Sequence, residues 1–237
     1  MSGRLVGVGV GPGDPELLTL KGLRVLLEAD EVFVPVADTG EVGRAETTVR
    51  EYLDEGRIRR LLFALSDDRE ARERNWTNAA QEVSEHLRSG KTCAFATLGD
   101  PNLYSTFTYL ARAVREIEPD VEVETVPGIT ALQDLASRSG TVLLEGDERL
   151  ALLPFTAGEE PLREALAGFE TVVCYKGGSR LGEVLWVAEE GGRLEGAVYG
   201  ARLGIEGEQV VPAQEMVGRE GTYLSAVIFT ERSSEFG

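Results

Sequence analysis

Short apolar runs rich in valine, isoleucine and phenylalanine alternate along the chain with longer segments of helical period, the pattern of parallel strands joined by crossover helices. Residues 5–10, 31–36, 61–65 and 92–97 read as the first four strands. Between them Leu20, Leu23 and Leu27 mark one helical stripe, and Trp76, Ala80, Val83 and Leu87, spaced by four, three and four, mark another. Both helices are expected to pack on the sheet. From residue 121 the pattern restarts, with runs at 121–126, 150–155, 171–175, 197–199 and 223–229. Shorter spacings, and the pairs Gly177-Gly178 and Gly191-Gly192 read as hairpin-like turns, predict a second α/β domain with some antiparallel pairing. The expected division is 1–125, an α/β domain with a mostly parallel sheet, and 126–237, an α/β domain with a mixed sheet, ending in a loose tail at 232–237.

Two of the strands run into glycine-rich turns, Gly7-Val8-Gly9-Val10-Gly11-Pro12-Gly13-Asp14-Pro15 and Leu98-Gly99-Asp100-Pro101. Glycine lets the backbone approach a ligand and take positive φ, and proline stiffens the turn, so both loops present main-chain groups rather than side chains. That form suits an organic cofactor. The first loop is not a dinucleotide fingerprint: in G-x-G-x-x-G, the third position falls on Pro12 when counted from Gly7 and on Asp14 when counted from Gly9. The segment from Pro12 to Pro15 also delays the helix, and no G-x-x-x-x-G-K-[ST] occurs, so both signals point away from nucleotide phosphates. Asp100, at the tip of the fourth strand, admits two readings. It either forms an Asx-turn or N-cap for a helix beginning near Tyr104, or contacts a polar ligand at the position where open α/β sheets bind one.

With 237 residues, 42% of them hydrophobic and 27% charged, the chain falls among ordinary globular proteins. No apolar run reaches bilayer-spanning length and the N-terminus lacks a secretory pattern, so a cytoplasmic protein is expected, without membrane partners. A net charge of −17 argues against nucleic acid as a partner. Of 24 basic residues only Lys21, Lys91 and Lys176 are lysines, a balance that a high-salt host or a GC-rich genome would each produce. Cys93 and Cys174 sit in strand-like runs with no His or Cys at metal spacing, which predicts buried thiols and no metal site. His86, the only histidine, falls beside a helical stripe and reads as a surface or edge-of-core residue rather than a general base.

Three segments, GVGVGPGDPELLTLKGLRVLLEADEVFVP at 7–35, ATLGDPNLYSTFTYL at 96–110 and VPGITALQDLAS at 126–137, resemble the signatures of the tetrapyrrole methylase family, in order and across nearly the whole chain. The LYST segment after GDP, the Trp76 helix and the closing YLSAVIF at 223–229 are most similar to the branch that methylates carbon 20 of precorrin-2 or cobalt-precorrin-2. The resemblance implies two αβα domains with a ligand cleft between them, S-adenosylmethionine as cofactor, a tetrapyrrole substrate and a homodimer. It also implies cofactor contacts at Pro12, Leu98, Gly99, Asp100, Leu103, Thr130, Ala131, Tyr175, Lys176 and Leu203. After the third strand this chain has Phe63-Ala64-Leu65-Ser66-Asp67-Asp68 where relatives tend to carry Phe-Pro-Met.

Methyl transfer from a sulfonium is a direct displacement in which orientation alone supplies on the order of 7–11 kcal/mol in favourable cases. No strong base is obligatory. Tyr104 is the candidate for positioning the substrate or relaying the proton lost afterwards, or it is an aromatic wall. A substrate bearing many carboxylates conflicts with the charge of −17 unless a local basic patch focuses the field. Arg44 is the candidate substrate-binding residue, and Arg57, Arg59 and Arg60 form the densest basic cluster; the other reading of these arginines is a solvated face paired with neighbouring Glu. Within the resemblance, the alternative is methylation of another tetrapyrrole carbon, or of a protein or RNA target, the RNA version disfavoured by the acidic charge; outside it, a nucleotide-cofactor oxidoreductase and a non-catalytic binding module are the alternatives.

Overall fold

Alternation along the strands sorts the first unit, Met1–Thr130, into three layers in the computed structural model, which describes residues 3–38, 40–63 and 69–231. Strands β1 (Arg4–Gly9), β2 (Glu31–Val36), β3 (Ile58–Leu62), β4 (Thr92–Thr97) and β5 (Glu122–Val126) form one parallel sheet in the order β3-β2-β4-β1-β5. Helices α1 (Leu20–Glu28), α2 (Arg44–Arg50), α3 (Arg69–Arg88) and α4 (Phe107–Ile117) lie in its crossovers. Successive strand residues point to opposite faces. Leu5, Phe33, Cys93 and Phe95 therefore pack with Val83, Leu87, Leu110 and Val114 of α3 and α4, while Val6, Val8, Val32, Val34 and Ala94 pack with Leu26 of α1 and Val49 of α2. Gly7 leaves room for Phe107, whose ring would lie 2.5 Å from any Cβ placed there.

The second unit, Ala131–Gly237, has its own sheet. Strands β6 (Leu150–Pro154), β7 (Thr171–Tyr175), β8 (Val198–Ala201), β9 (Gln209–Pro212) and β10 (Ser225–Thr230) run in the order β6-β7-β10-β8-β9, with only β6 and β7 parallel. Helices α6 (Glu159–Gly168) and α7 (Leu181–Glu190) cover one face, through Leu162, Leu166, Val184 and Leu185 against Val172, Cys174 and Phe229. Helix α5 (Ala131–Ser139) covers the other with Leu135 against Val173, Ala226 and Ile228. Gly200 makes that contact possible, since a Cβ there would come within 2.4 Å of Leu135.

The runs at 31–36, 92–97 and 171–175 are strands with those bounds. The third run differs: the strand is Ile58–Leu62, displaced toward the N-terminus because Arg59 and Arg60 join the ladder and pair with acids beside it. Two turns differ as well. Gly177-Gly178 leads into α7 rather than a hairpin, and Gly178 is needed because a Cβ would lie 1.8 Å from the Thr222 carbonyl oxygen. Gly191-Gly192 ends α7, with Gly192 at φ +67° as helix termination demands. Strand β9 was not anticipated; four residues at a sheet edge carry too little periodicity to register. Residues 64–68, which hold most of the departure after the third strand, and the expected tail at 232–237 lie outside the described residues. Among the described residues no helix is long and apolar enough to cross a membrane.

Candidate functional site

Strands β1 and β4 are neighbours whose outgoing connections run opposite ways, β1 toward β2 and β4 toward β5. Such a reversal leaves a crevice beyond the C-terminal ends of the strands, where open α/β sheets take ligands. The two glycine bends stand there and are laced together. Val10 N donates to the Thr97 carbonyl at 2.9 Å and Gly99 N to the Gly11 carbonyl at 2.7 Å, the latter forming an isolated antiparallel bridge. A third bend, residues 127–130 after β5, closes on both. A Cβ on Gly9 would lie 2.5 Å from the Gly99 oxygen, and one on Gly128 only 2.1 Å from it. Main chain therefore packs directly on main chain.

Gly99 is the exception. At φ +68° it has no heavy atom beyond its own chain neighbours within 4 Å of the place where a Cβ would stand, so its bare face opens onto free space. That open face leaves room for a small organic ligand.

Asp100 holds the bends in register. Its Oδ1 accepts from Asn102 N at 2.8 Å and its Oδ2 from Gly128 N at 3.1 Å, so it makes the expected Asx-turn and also tethers the bend after β5. It does not cap a helix. Helix α4 starts at Phe107, three residues later than expected, because Tyr104 at φ +52° is outside helical space. Ser105, buried, accepts from Phe107 N at 3.1 Å and shares a 2.8 Å hydrogen bond with Thr97 Oγ1, which fixes the loop onto β4.

The remaining first-unit candidates fall on these loops. Pro12 is buried, Leu98, Leu103 and Thr130 are half-buried, and Tyr104 is exposed. Arg44 opens α2 after β2, on the same edge of the sheet, and is exposed. Helix α2 is fixed to the first bend by Thr48 Oγ1, which donates to the Gly13 carbonyl at 3.3 Å. The basic cluster is spent internally. Arg57 donates to the carbonyls of Leu27 and Ala29, both at 2.9 Å. Arg60 forms a fork on Glu46 at 2.8 and 2.9 Å, and Arg59 pairs with Glu31 at 2.5 Å. Burial pushes the Glu31 carboxyl up, but the hydrogen bonds from Arg59 and Lys91 and the charges of Arg59 and His86 outweigh it and hold the group down at about 2. His86 lies 3.2 Å from Glu31 and edge-on to Phe33, at the strand starts and so opposite the bends. The thiols of Cys93 and Cys174 are each pushed up to about 12, chiefly by burial, and are unreactive.

In the second unit the C-terminal ends of β7 and β8 flank the start of β10, with Tyr175 opposite Ala226 and Ala201 opposite Ser225. Tyr175 Oη accepts from Leu132 N at 2.7 Å, satisfying a free donor in the first turn of α5 next to Ala131. Lys176 (φ +57°) and Arg202 (φ +54°) each stand one residue past a strand end in the left-handed region, a conformation that costs an L side chain about 1–2 kcal/mol. Leu203 is buried against Leu135 and Ile228 beneath α5. Arg202 was not singled out as a site residue, since left-handed geometry at a non-glycine residue has no signature in composition.

A parallel sheet with glycine bends at its switch point, followed by a mixed sheet of five strands, defines a two-part α/β ligand-binding protein. Residues 4–216 match the Tetrapyrrole (Corrin/Porphyrin) Methylases, and the chain belongs to that family. It is 39% identical over 173 residues to a protein of Methanocaldococcus jannaschii named probable cobalt-precorrin-2 C(20)-methyltransferase, covering 73% of this chain and 72% of that one. It is 34% identical over 235 residues to the precorrin-2 C(20)-methyltransferase of a Sinorhizobium species, covering 95% and 94%. Among solved structures, a putative cobalamin synthesis related protein (CobF) from Corynebacterium diphtheriae shares the fold with a TM-score of 0.74 at 19% identity, over 98% of this chain and 99% of that one.

Proposed function

We propose that this chain transfers a methyl group from S-adenosylmethionine to carbon 20 of precorrin-2 or its cobalt chelate, in corrin (cobalamin) biosynthesis. The near full-length likeness to the Sinorhizobium enzyme carries this reading, and the open main-chain cradle at Gly99 supports it. When bound, the cofactor supplies an electrophilic methyl group on a sulfonium. Pro12, Leu98, Gly99, Asp100, Leu103 and Thr130 hold it from the first unit, the first four largely through the backbone of the laced bends and the carboxylate that ties them. Ala131, Tyr175, Lys176 and Leu203 hold it from the second.

The protein's contribution is orientation. A ring carbon of an electron-rich reduced tetrapyrrole is itself the nucleophile, so bends that are rigid before binding reduce the entropy lost in aligning it. Asp100, with both oxygens engaged by backbone N–H groups, positions and does not act as a base. Tyr104, exposed on the loop after Asp100, orients the macrocycle or relays the proton that carbon 20 loses. Arg44, exposed at the same sheet edge, attracts the substrate's carboxylates. The protein is proposed to work as a homodimer in the cytoplasm, a compartment suited to its two buried free thiols.

Parallel incubations with metal-free and cobalt-bound precorrin-2 and the methyl donor, with products located by mass and NMR, test the reading. A single added methyl on carbon 20 is expected from at least one of them. Methyl on another carbon, or none from either, overturns it. Sedimentation at twice the chain mass is expected of the dimer, and a monomer at micromolar concentration contradicts that part.

A further inference from the structure

Arg202 occupies a left-handed backbone position that glycine would fill without strain, and this chain uses glycine freely at such turns, Gly204 (φ +72°) and Gly207 (φ +80°) included. Its place is tightly determined. Arg202 N donates to the Leu224 carbonyl at 3.0 Å and its own carbonyl accepts from Ile205 N at 3.1 Å. The guanidinium rests over Gly207, where an added Cβ would stand 3.3 Å from Nη1 and 3.4 Å from Cζ. No carboxylate pairs with it among the described residues, in contrast to Arg59 on Glu31 and Arg60 on Glu46. Glu208, six residues on, is taken by Arg138 at 2.9 Å and by Gly204 N at 2.6 Å. Across the start of β10 stands the backbone of Lys176, also left-handed, about 10 Å from that of Arg202 by two strand spacings.

A chain of net charge −17 has no long-range attraction for a polyanion. Affinity for one then depends on local cations that the protein does not neutralise itself. We propose that Arg202 is a specificity-determining residue that grips one carboxylate of the polycarboxylic substrate in a bidentate pair, a geometry the planar guanidinium matches and lysine does not. The proposal rests on the function proposed above. It also places the substrate's acid groups beside Leu203 and Lys176, the residues assigned to the cofactor in the second unit.

Arg202→Gly tests it, because the substitution keeps the backbone conformation, relieves its strain and deletes the guanidinium. The variant is expected to melt at or above the parent's temperature and to bind S-adenosylhomocysteine within twofold of the parent by calorimetry. Anaerobic fluorescence titration of precorrin-2 into the S-adenosylhomocysteine complex is expected to show at least a tenfold rise in Kd. KM should rise with it while kcat stays within threefold, and Arg202→Lys should recover only part of the affinity. Unchanged precorrin-2 affinity in Arg202→Gly overturns the role of Arg202, as does a loss of S-adenosylhomocysteine affinity equal to the whole effect. Uroporphyrin III, an octacarboxylic macrocycle, serves as a second probe. If the parent binds uroporphyrin III but does not methylate precorrin-2, the function fails and a tenfold loss in Arg202→Gly still upholds the carboxylate grip. If the parent binds neither macrocycle, both proposals fall.

Discussion

In the first unit the bends after β1, β4 and β5 are built from glycine, and Gly9, Gly99 and Gly128 meet backbone to backbone with no space for a Cβ on Gly9 or Gly128. In the second unit the bends after β7 and β8 put Lys176 and Arg202 into the same left-handed region that glycine occupies at Gly99. At its three meeting bends the first edge removes side chains so that main chain can be shown, and it keeps one left-handed side chain, Tyr104 at φ +52°. The other accepts strain to keep side chains in place. Strained non-glycine positions gather where function repays them, so these positions have different vulnerabilities: adding one carbon at Gly9 or Gly128 damages the first edge, and deleting the side chain of Lys176 or Arg202 disarms the second while relieving strain.

The largest effect to sharpen this contrast belongs to Gly128→Ala. Its Cβ would sit 2.1 Å from the Gly99 oxygen and 2.8 Å from Gly9 backbone atoms, so the three bends must separate. A loss on the order of 3 kcal/mol or more is expected, as for overpacking against an unyielding neighbour, together with loss of S-adenosylhomocysteine binding; denaturant titration and calorimetry measure the two. Next comes Asp100→Asn, which turns one acceptor into a donor facing either Gly128 N or Asn102 N. A destabilisation of about 2 kcal/mol is expected from the stranded N–H, with S-adenosylhomocysteine affinity down at least fivefold, and an unaffected affinity would detach Asp100 from the cofactor. Tyr175→Phe, which strips the acceptor from Leu132 N, should cost about 1 kcal/mol in thermal unfolding. The smallest effect has the opposite sign. Lys176→Gly should stabilise by up to about 1 kcal/mol, the relief of left-handed strain less the extra freedom of glycine in the unfolded chain; a destabilisation instead would break the contrast between the edges.

Strands β2, β4 and β7 were legible because each is a continuous apolar run buried on both faces, as parallel crossover strands demand. Strand β3 was misplaced because its register residues are Arg59 and Arg60, whose acidic partners Glu31 and Glu46 come from elsewhere in the chain. The same limit governs the site. The glycine and proline spacing marks the bends at residues 9–13 and 98–101, but the Asp100 tether to Gly128 N joins residues 28 apart in sequence, and the Arg59 pair with Glu31 joins residues equally far apart. Only the strand order brings such partners together. The left-handed conformation of Arg202 is held by its hydrogen bonds to Leu224 and Ile205, not by its own propensity.

The central claim is that the open main-chain face of Gly99 receives the methyl donor. Gly99 and Gly192 form a matched pair, at φ +68° and φ +67°, each with nothing within 4 Å of an added Cβ. Gly99→Ala and Gly192→Ala should therefore lose the same stability, about 1–2 kcal/mol. Calorimetric titration with S-adenosylhomocysteine should separate them: at least a tenfold loss of affinity in Gly99→Ala, and parental affinity in Gly192→Ala. Equal affinities in the two variants would contradict the claim.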